Sequence, residues 1–588
     1  MTYEQITLFA LFATVFALLI WGRFRYDLVA FSALLAGVVL DVVPAQEAFS
    51  GFGHPATLIV ALVLVVSAGL TRSGAVLLIT RTMIDHSRAL AHHIMIMGGV
   101  GAVLSAFMNN VAALALLMPV DVQTARKAKR AAGLSLMPLS FATILGGMAT
   151  LIGTPPNIII ASFREEALGQ SYNMFDFAPV GGAVALAGLV FIALIGWRLI
   201  PLREDAVIEA SDLDDYIAEL TVPAESSHIG KRLIELQEEA DSGDVAILGL
   251  IRDGKRRYGT AANARLEAGD TLVIEAQPDA LDEFRASLSL AFAEEEHDRA
   301  LRAENDGLDI IEVVVPHDAK AVGKSAQSIG LHWRQRSVLL GISRQGRKIT
   351  QAVRKTAIQP GDILLLLVPK DRGQDVTDWL GGLTLANRGL AVTQDRKTWA
   401  AIGLFAAAVA VASLGWLSLS IALGLVVVAY ALTRIIPLSE LYDSIEWPVV
   451  VLLGSMIPLG AALDAEGGTR LIASALVDLT AGWPAWAVLT ILMAVTMTMS
   501  DVLNNTATTI VAAPVAVQMA RTLDVSPDPF LMAVAASSAF LTPIGHKNNT
   551  LILGPGGYRF GDYWRLGLPL ELLVVAVSVP LILVFWPL

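Results

Sequence analysis

"FMNNVAALALLMPV" (107–120) and "VLNNTATTIVAAPV" (502–515) each place an Asn-Asn pair inside an otherwise apolar run. In both, the first Asn stands four positions after a Ser (Ser105, Ser500) and ten before a Pro (Pro119, Pro514). An amide in hydrocarbon without a partner costs on the order of several kcal/mol. Four of them, in two copies, mark a built feature, and the fold is read outward from it.

The chain around these runs has 588 residues, 55% of them hydrophobic, and a mean hydropathy of +0.61. Only 16% are charged, against roughly 25% in a globular domain, and most of that charge lies in residues 203–396. This is the composition of a polytopic α-helical membrane protein with an inserted soluble region. There is no Cys, which removes disulfides, thiolate metal sites and thiol nucleophiles. A net charge of −12 without a basic stripe argues against a nucleic-acid partner. The first residues, "MTYEQITLFALFATVFALLIWG", lack the basic start and small-residue cleavage site of a signal peptide, and are read as a retained first span.

Two hydrophobic halves flank the charged block. Spans are predicted near 6–22, 27–44, 56–72, 133–161 and 177–199, and again near 398–416, 418–436, 447–463, 529–556 and 563–587. Residues 92–120 and 484–518 carry the Asn pairs. Arg23 and Arg25 follow the first span, Arg72, Arg81 and Arg88 the third, and "RKAKR" (126–130) the first Asn segment, while the 45–55 loop has no Lys or Arg. Under the positive-inside rule these agree only if 92–120 enters and leaves on the cytoplasmic side, as a re-entrant hairpin with Asn109 and Asn110 at its tip. Five true spans then place the N-terminus outside, residues 203–396 in the cytoplasm and the C-terminus outside. An odd span count makes the second half an inverted copy of the first, giving about 10 spans in all.

Further landmarks repeat in the same order. "LIGTPPN" (151–157) matches "PIGHKNN" (543–549), and "VSAGLTRSG" (66–74) resembles "LGAALDAEGG" (459–468). The charged block is doubled as well. "LTVPAESSHIGKRL" (220–233), "ILGLIRDGK" (247–255) and "EAGDTLVI" (267–274) parallel "VVVPHDAKAVGKSA" (313–326), "LLGISRQGR" (339–347) and "QPGDILLL" (359–366). Alternating strands and Gly-Asp turns predict two small α+β domains. The domains are thus 1–202 (first transmembrane repeat), 203–295, 296–396 and 397–588 (second transmembrane repeat). No Gly-rich phosphate loop and no nucleophile–base pair suggests an enzyme.

Irregular backbone survives at membrane depth only where protein or a wet cavity satisfies it. A hairpin tip and a Pro-broken span, supplied twice, make two half-sites that meet at mid-membrane. Their carbonyl and hydroxyl oxygens suit a hard cation such as Na⁺, and their amide N–H groups and helix N-termini suit an anion. The layout fits an alternating-access carrier. The bland alternatives are interhelical glue for the Asn pairs and snorkelling for His546 and Lys547. Asp501 reads either as an ion ligand or as a capping carboxylate.

"SAFMNNVA", "LIGTPPN", "SDVLNNTAT" and "PIGHKNNTLILGPGGYRFGDYWRLG" resemble the divalent anion:sodium symporter family, solute carrier family 13, in its branch with two cytoplasmic RCK C-terminal (TrkA-C) domains. The resemblance covers essentially the whole chain. It implies Na⁺ sites at Ser105, Asn109, Asn110 and Gly153, and at Ser500, Asn504, Asn505 and Gly545. It implies substrate contacts at Asn110, Thr154, Asn505, Thr506, His546 and Lys547. It further implies a homodimer in the inner membrane working by an elevator mechanism, with cytoplasmic domains open to a small-molecule effector. The family's tip signature is Ser-Asn-Thr, whereas here the triplets are Asn109-Asn110-Val111 and Asn504-Asn505-Thr506. Val111 lacks a hydroxyl that the family's carboxylate binders use, and His546-Lys547 stands where they have Thr-Pro. These departures favour a compact divalent anion, sulfate first, over a di- or tricarboxylate. An ion channel gated by the cytoplasmic domains is the reading from another class.

Overall fold

The computed structural model describes residues 1–21, 24–74, 88–201, 395–480, 482–503, 505–543 and 545–588, together with parts of 217–292 and 308–385. Arg23, Arg81 and Asn504, all used above, lie outside the described residues. The chain divides into two compact units, one of Met1–Arg203, Gly389–Ile552 and Tyr558–Leu588, the other of Glu204–Arg388 with Leu553–Gly557.

The first unit is helical. Its first half holds α1 (Tyr3–Trp21), α2 (Tyr26–Val39), α3 (Pro55–Arg72), α4 (Leu90–Phe107), α5 (Asn110–Lys127), α6 (Gly133–Gly147), α7 (Pro155–Leu168) and α8 (Ala183–Leu194). Its second half holds α9 (Asp395–Ser413), α10 (Leu419–Leu432), α11 (Trp447–Ala465), α12 (Gly468–Leu479), α13 (Ala485–Val502), α14 (Asn505–Thr522), α15 (Pro527–Ala535), α16 (Lys547–Leu553) and α17 (Tyr563–Phe585). Among the described residues five helical segments are long and apolar enough to cross a bilayer: Ser50–Arg72, Leu90–Phe107, Trp447–Ala465, Ala485–Val502 and Phe560–Phe585.

Chain punctuation explains where these helices stop. Each Asn segment is two helices broken just before the second Asn of its pair. Each stretch expected to contain a Pro or Gly break is also two helices, α6/α7 around 148–154 and α15/α16 around 536–546. The matched 66–74 and 459–468 segments both end their helix at a left-handed residue, Gly74 (φ 80°) and Gly467 (φ 73°), a conformation that glycine adopts without steric cost.

Packing exchanges partners between the halves. α2 packs on α11, and its counterpart α10 packs on α3. The contact is close: a Cβ at Gly69 would lie 2.3 Å from the Tyr430 ring. One apolar cluster joins Leu8 and Phe12 of α1, Leu34 of α2, Val60 of α3, Ile159 of α7, Leu453 and Met456 of α11 and Ile510 of α14. Tyr558 is buried. Its hydroxyl is inserted into the first turn of α6, accepting from the Met137 N–H (2.8 Å) and donating to the Gly133 carbonyl.

The second unit contains two five-stranded antiparallel sheets. β1 (Ile217–Thr221), β2 (Ala246–Arg252), β3 (Lys255–Arg257), β4 (Thr271–Glu275) and β5 (Ala291–Phe292) run in the order β3-β2-β4-β1-β5. β6 (Leu308–Val314), β7 (Val338–Arg344), β8 (Arg347–Ile349), β9 (Ile363–Pro369) and β10 (Leu383–Thr384) repeat that order strand for strand. The irregularity between Ile247 and Gly249 recurs between Leu339 and Gly341. So does one ion pair. Arg252 grips Asp270 through two bonds of 2.7 Å and also donates to the Arg265 carbonyl, and Arg344 grips Asp362 (2.8 Å twice) and the Ala357 carbonyl in the same way. The hydrogen-bonded Asp362 carboxylate raises the Arg344 pKa above its ordinary value.

Asp270 and Asp362 are almost fully buried, so removing either arginine strands a carboxylate away from water. Arg344→Met is expected to destabilise its sheet by about 3 kcal/mol, and Arg252→Met by a similar amount. Both are read as a lowered midpoint in the thermal unfolding of the full-length protein.

Candidate functional site

At the first break, α4 ends at Met108, whose backbone is extended (φ −144°, ψ 166°). Helix ends leave N–H and C=O groups without intrahelical partners, and the neighbouring side chains take them up. The Asn109 side-chain oxygen accepts from the Val111 N–H (2.9 Å), in the first turn of α5. The Asn110 side-chain oxygen accepts from the Ser105 hydroxyl (2.6 Å). The second break repeats this. Leu503 is extended (φ −106°, ψ 170°) and the Ser500 hydroxyl donates to the Asn505 side-chain oxygen (3.1 Å). The four-residue offset between Ser and the first Asn therefore reaches its partner at the second Asn.

The broken helices lock onto these tips through bonds that also come in pairs. The Thr150 hydroxyl donates to the Ala106 carbonyl, and the Thr542 hydroxyl to the Asp501 carbonyl. Asn157 donates to the Thr150 carbonyl (2.8 Å), and Asn549 to the Thr542 carbonyl (3.1 Å). Glycine makes the approach possible. A Cβ at Gly153 would sit 2.3 Å from the Gly147 carbonyl oxygen, and one at Gly545 would sit 2.7 Å from the Ser500 carbonyl oxygen. A third position, Gly147, backs Asn110, and its Cβ would meet Asn110 Oδ1 at 2.5 Å. In the second half two acids brace the break: Asp501 accepts from the Leu541 N–H (2.8 Å), and Glu571 from the Phe540 N–H (3.1 Å).

Both tips and both breaks face one cleft of about 740 Å³, its open mouth included. Asn110, Thr154, Asn505, Thr506, His546 and Lys547 all line it, as do Asn109, Gly153 and Gly545. Ser105 and Ser500 are fully buried and stand behind the lining, each holding its asparagine. The halves are also cross-bonded. Asn548 donates to the Asn110 carbonyl (3.1 Å) and to Thr143 Oγ1 (2.8 Å), and Ser140 donates to Asn549 Oδ1 (2.9 Å).

The second half-site is not a copy of the first in its charge. His546 Nε2 lies 3.5 Å from Asn110 Nδ2, and His546 Nδ1 is buried with no hydrogen-bond partner among the described residues. Lys547 is ion-paired at 2.6 Å to Glu446, whose other oxygen accepts from Asn109 Nδ2 (3.1 Å). Glu446 also lines the cleft. Sequence reasoning missed it, because "SIEWPVV" reads as an ordinary acidic start to a helix. No pattern in the sequence marked it; in the structure the N-cap of α3, His54, accepts from the Ala56 N–H, whereas Glu446, the N-cap of α11, makes no side-chain cap bond. In the first turn of α4, His93 belongs to a buried cluster in which Asp121 bonds His93 Nε2 (2.6 Å) and accepts from the Ser135 hydroxyl (2.7 Å).

The chemistry on offer is recognition, with amide, hydroxyl and carbonyl oxygens for a hard cation and N–H donors with one ammonium for an anion. Among the described residues no group of three or more His, Cys, Asp or Glu is placed to hold a metal ion.

The citrate transporter family profile matches residues 16–537 and 488–588, and the chain belongs to that family. It is similar to the uncharacterized transporter sll0640 of Synechocystis sp., with 30% identity across 97% of this chain and 95% of that protein. The uncharacterized transporter YfbS of Escherichia coli is 27% identical, with 100% of each chain covered. Sodium/sulfate cotransporter 2 of Chlamydomonas reinhardtii is 26% identical over 58% of this chain and 40% of its own length.

Gly147→Ala is expected to push the Asn110 amide off its place in the cleft and abolish transport while the protein stays monodisperse. Gly403→Ala, whose Cβ would meet nothing within 4 Å, is expected to transport normally in the same assay.

Proposed function

We propose that this chain is a secondary active importer of a divalent oxyanion, sulfate first, coupled to Na⁺. The observation that carries this reading is the convergence of two broken-helix tips and two interrupted helices on one cleft. Oxygen acceptors from Asn109, Asn110, Gly153 and Gly545 suit Na⁺ there, and Thr154, Asn505, Thr506, His546 and Lys547 offer donors to the anion. The naming of Chlamydomonas relatives as sodium/sulfate cotransporters supports both the cation and the anion.

The fold is proposed as an inverted repeat of five spans and one re-entrant hairpin per half, in the inner membrane with both termini outside. The exchanged α2–α11 and α10–α3 contacts support the inversion. The doubled sheets support two cytoplasmic domains of the RCK C-terminal type, at 203–295 and 296–396, open to an effector. A homodimer whose cleft-bearing part moves as an elevator completes the proposal. Asn504 would complete the second Na⁺ site.

A di- or tricarboxylate is the second reading, favoured by the family's description as citrate transporters. One feature weighs against it: Val111 offers no hydroxyl to the cleft. Purified protein in liposomes is expected to accumulate labelled sulfate under an inward Na⁺ gradient, and Asn110→Ala and Asn505→Ala are each expected to remove the Na⁺ stimulation. Strong citrate uptake with no sulfate uptake would move the assignment to carboxylates.

A further inference from the structure

The Glu446–Lys547 pair sets two opposite charges inside the cleft at 2.6 Å, each side chain 28% exposed. Glu446 is the residue before α11 and Lys547 the first of α16, 101 positions later, so neither helix needs the other's charge for its own start. Lys547 Nζ also lies 6.0 Å from the Tyr26 ring centroid. The second Glu446 oxygen is held by the Asn109 amide, the first residue of an Asn pair assigned above to the cation.

A carboxylate is itself an oxyanion and makes the same demand on an ammonium that a sulfate or a free carboxylate would make. Glu446 therefore occupies, in this conformation, the contact that an incoming anion needs. We propose that Glu446 is a tethered counter-anion that couples the two ligands: the anion takes Lys547 from it, and Na⁺ takes its released carboxylate. The proposal rests on the anion-carrier reading and names the residue that links the cation to the anion.

The linkage follows from charge alone. An anion arriving without Na⁺ leaves the Glu446 carboxylate unneutralised beside it. Na⁺ arriving without the anion must draw Glu446 off Lys547 and break that ion pair with nothing of like charge to replace it. Together they replace one ion pair by two, so each raises the affinity of the other, and by the same factor. The empty cleft, by contrast, keeps its own pair neutral, and a neutral pair is the cheaper thing to carry past lipid. Slippage by either ion alone is suppressed for the same reason.

The test uses the full-length protein in detergent and measures the binding of labelled sulfate, and of citrate, with and without Na⁺. Wild type is expected to bind far more weakly without Na⁺ than with it. Glu446→Gln keeps the size and the bond to Asn109 but removes the negative charge that pairs with Lys547. It is expected to bind the anion without Na⁺ at least tenfold more tightly than wild type does under that condition, and to lose most of the Na⁺ enhancement. Glu446→Asp, which restores the charge, is expected to restore Na⁺ dependence. Lys547→Met is expected to lose anion binding. If Glu446→Gln keeps the wild-type Na⁺ dependence, or binds neither anion under any condition while its unfolding midpoint is unchanged, the counter-anion role is overturned while the carrier reading stands. If wild type binds neither sulfate nor citrate, the carrier reading falls and takes this inference with it.

Discussion

A serine hydroxyl holding an asparagine amide across a helix break is the interaction on which the rest of the site depends. Ser105 does this for Asn110, and Ser500 for Asn505. Backbone that leaves the helix in an apolar setting must find partners or forfeit free energy for each orphaned group. The Ser–Asn bond fixes the second asparagine at the start of its helix. The Thr150 and Thr542 hydroxyls then tie the neighbouring interrupted helix to the same tip. The cleft is lined by the residues that these bonds hold in place.

Matched breaks supply the frame of the cleft, and its lining departs from that match. In the first half the interrupted helix presents Thr154, Pro155 and Pro156, and in the second the matching positions are His546, Lys547 and Asn548. The prolines remove backbone donors and stiffen the first half-site. The second half-site instead contributes an imidazole, an ammonium and an amide, and Asn548 reaches across to the first tip. The start of α11 breaks the symmetry again: the N-cap of α3, His54, accepts from its own helix's Ala56 N–H, whereas Glu446 makes no side-chain cap bond. A symmetric scaffold thus encloses an asymmetric field, which a carrier of unlike ions requires.

The charged block between the halves follows a separate logic. Each sheet is anchored by an arginine that reads two carboxylate oxygens and one carbonyl, an arrangement that the planar guanidinium fits better than an ammonium. Repeating that anchor with the same strand order gives two modules with a common core and different surfaces. The helices owe their stability to apolar packing between the halves, as in the cluster joining α1, α2, α3 and α11.

Much of this was legible in the one-dimensional chain because it depends on local or repeated pattern. Apolar runs set the helices, Gly and Pro set their breaks, and the Asn pairs with their serines marked both tips before any contact was known. The matched short segments fall at corresponding helix breaks and in two sheets of one strand order. What the chain order could not carry was which distant groups meet. Glu446 and Lys547 are apart in sequence and lie on different helices; Tyr558 enters the backbone of α6; Asp501 and Glu571 brace consecutive amides of one break. Those pairings arise only when packed helices bring their ends to one place. A charge's meaning, as cap, counter-ion or ligand, is set by its neighbours in space, and only the tertiary structure decided those.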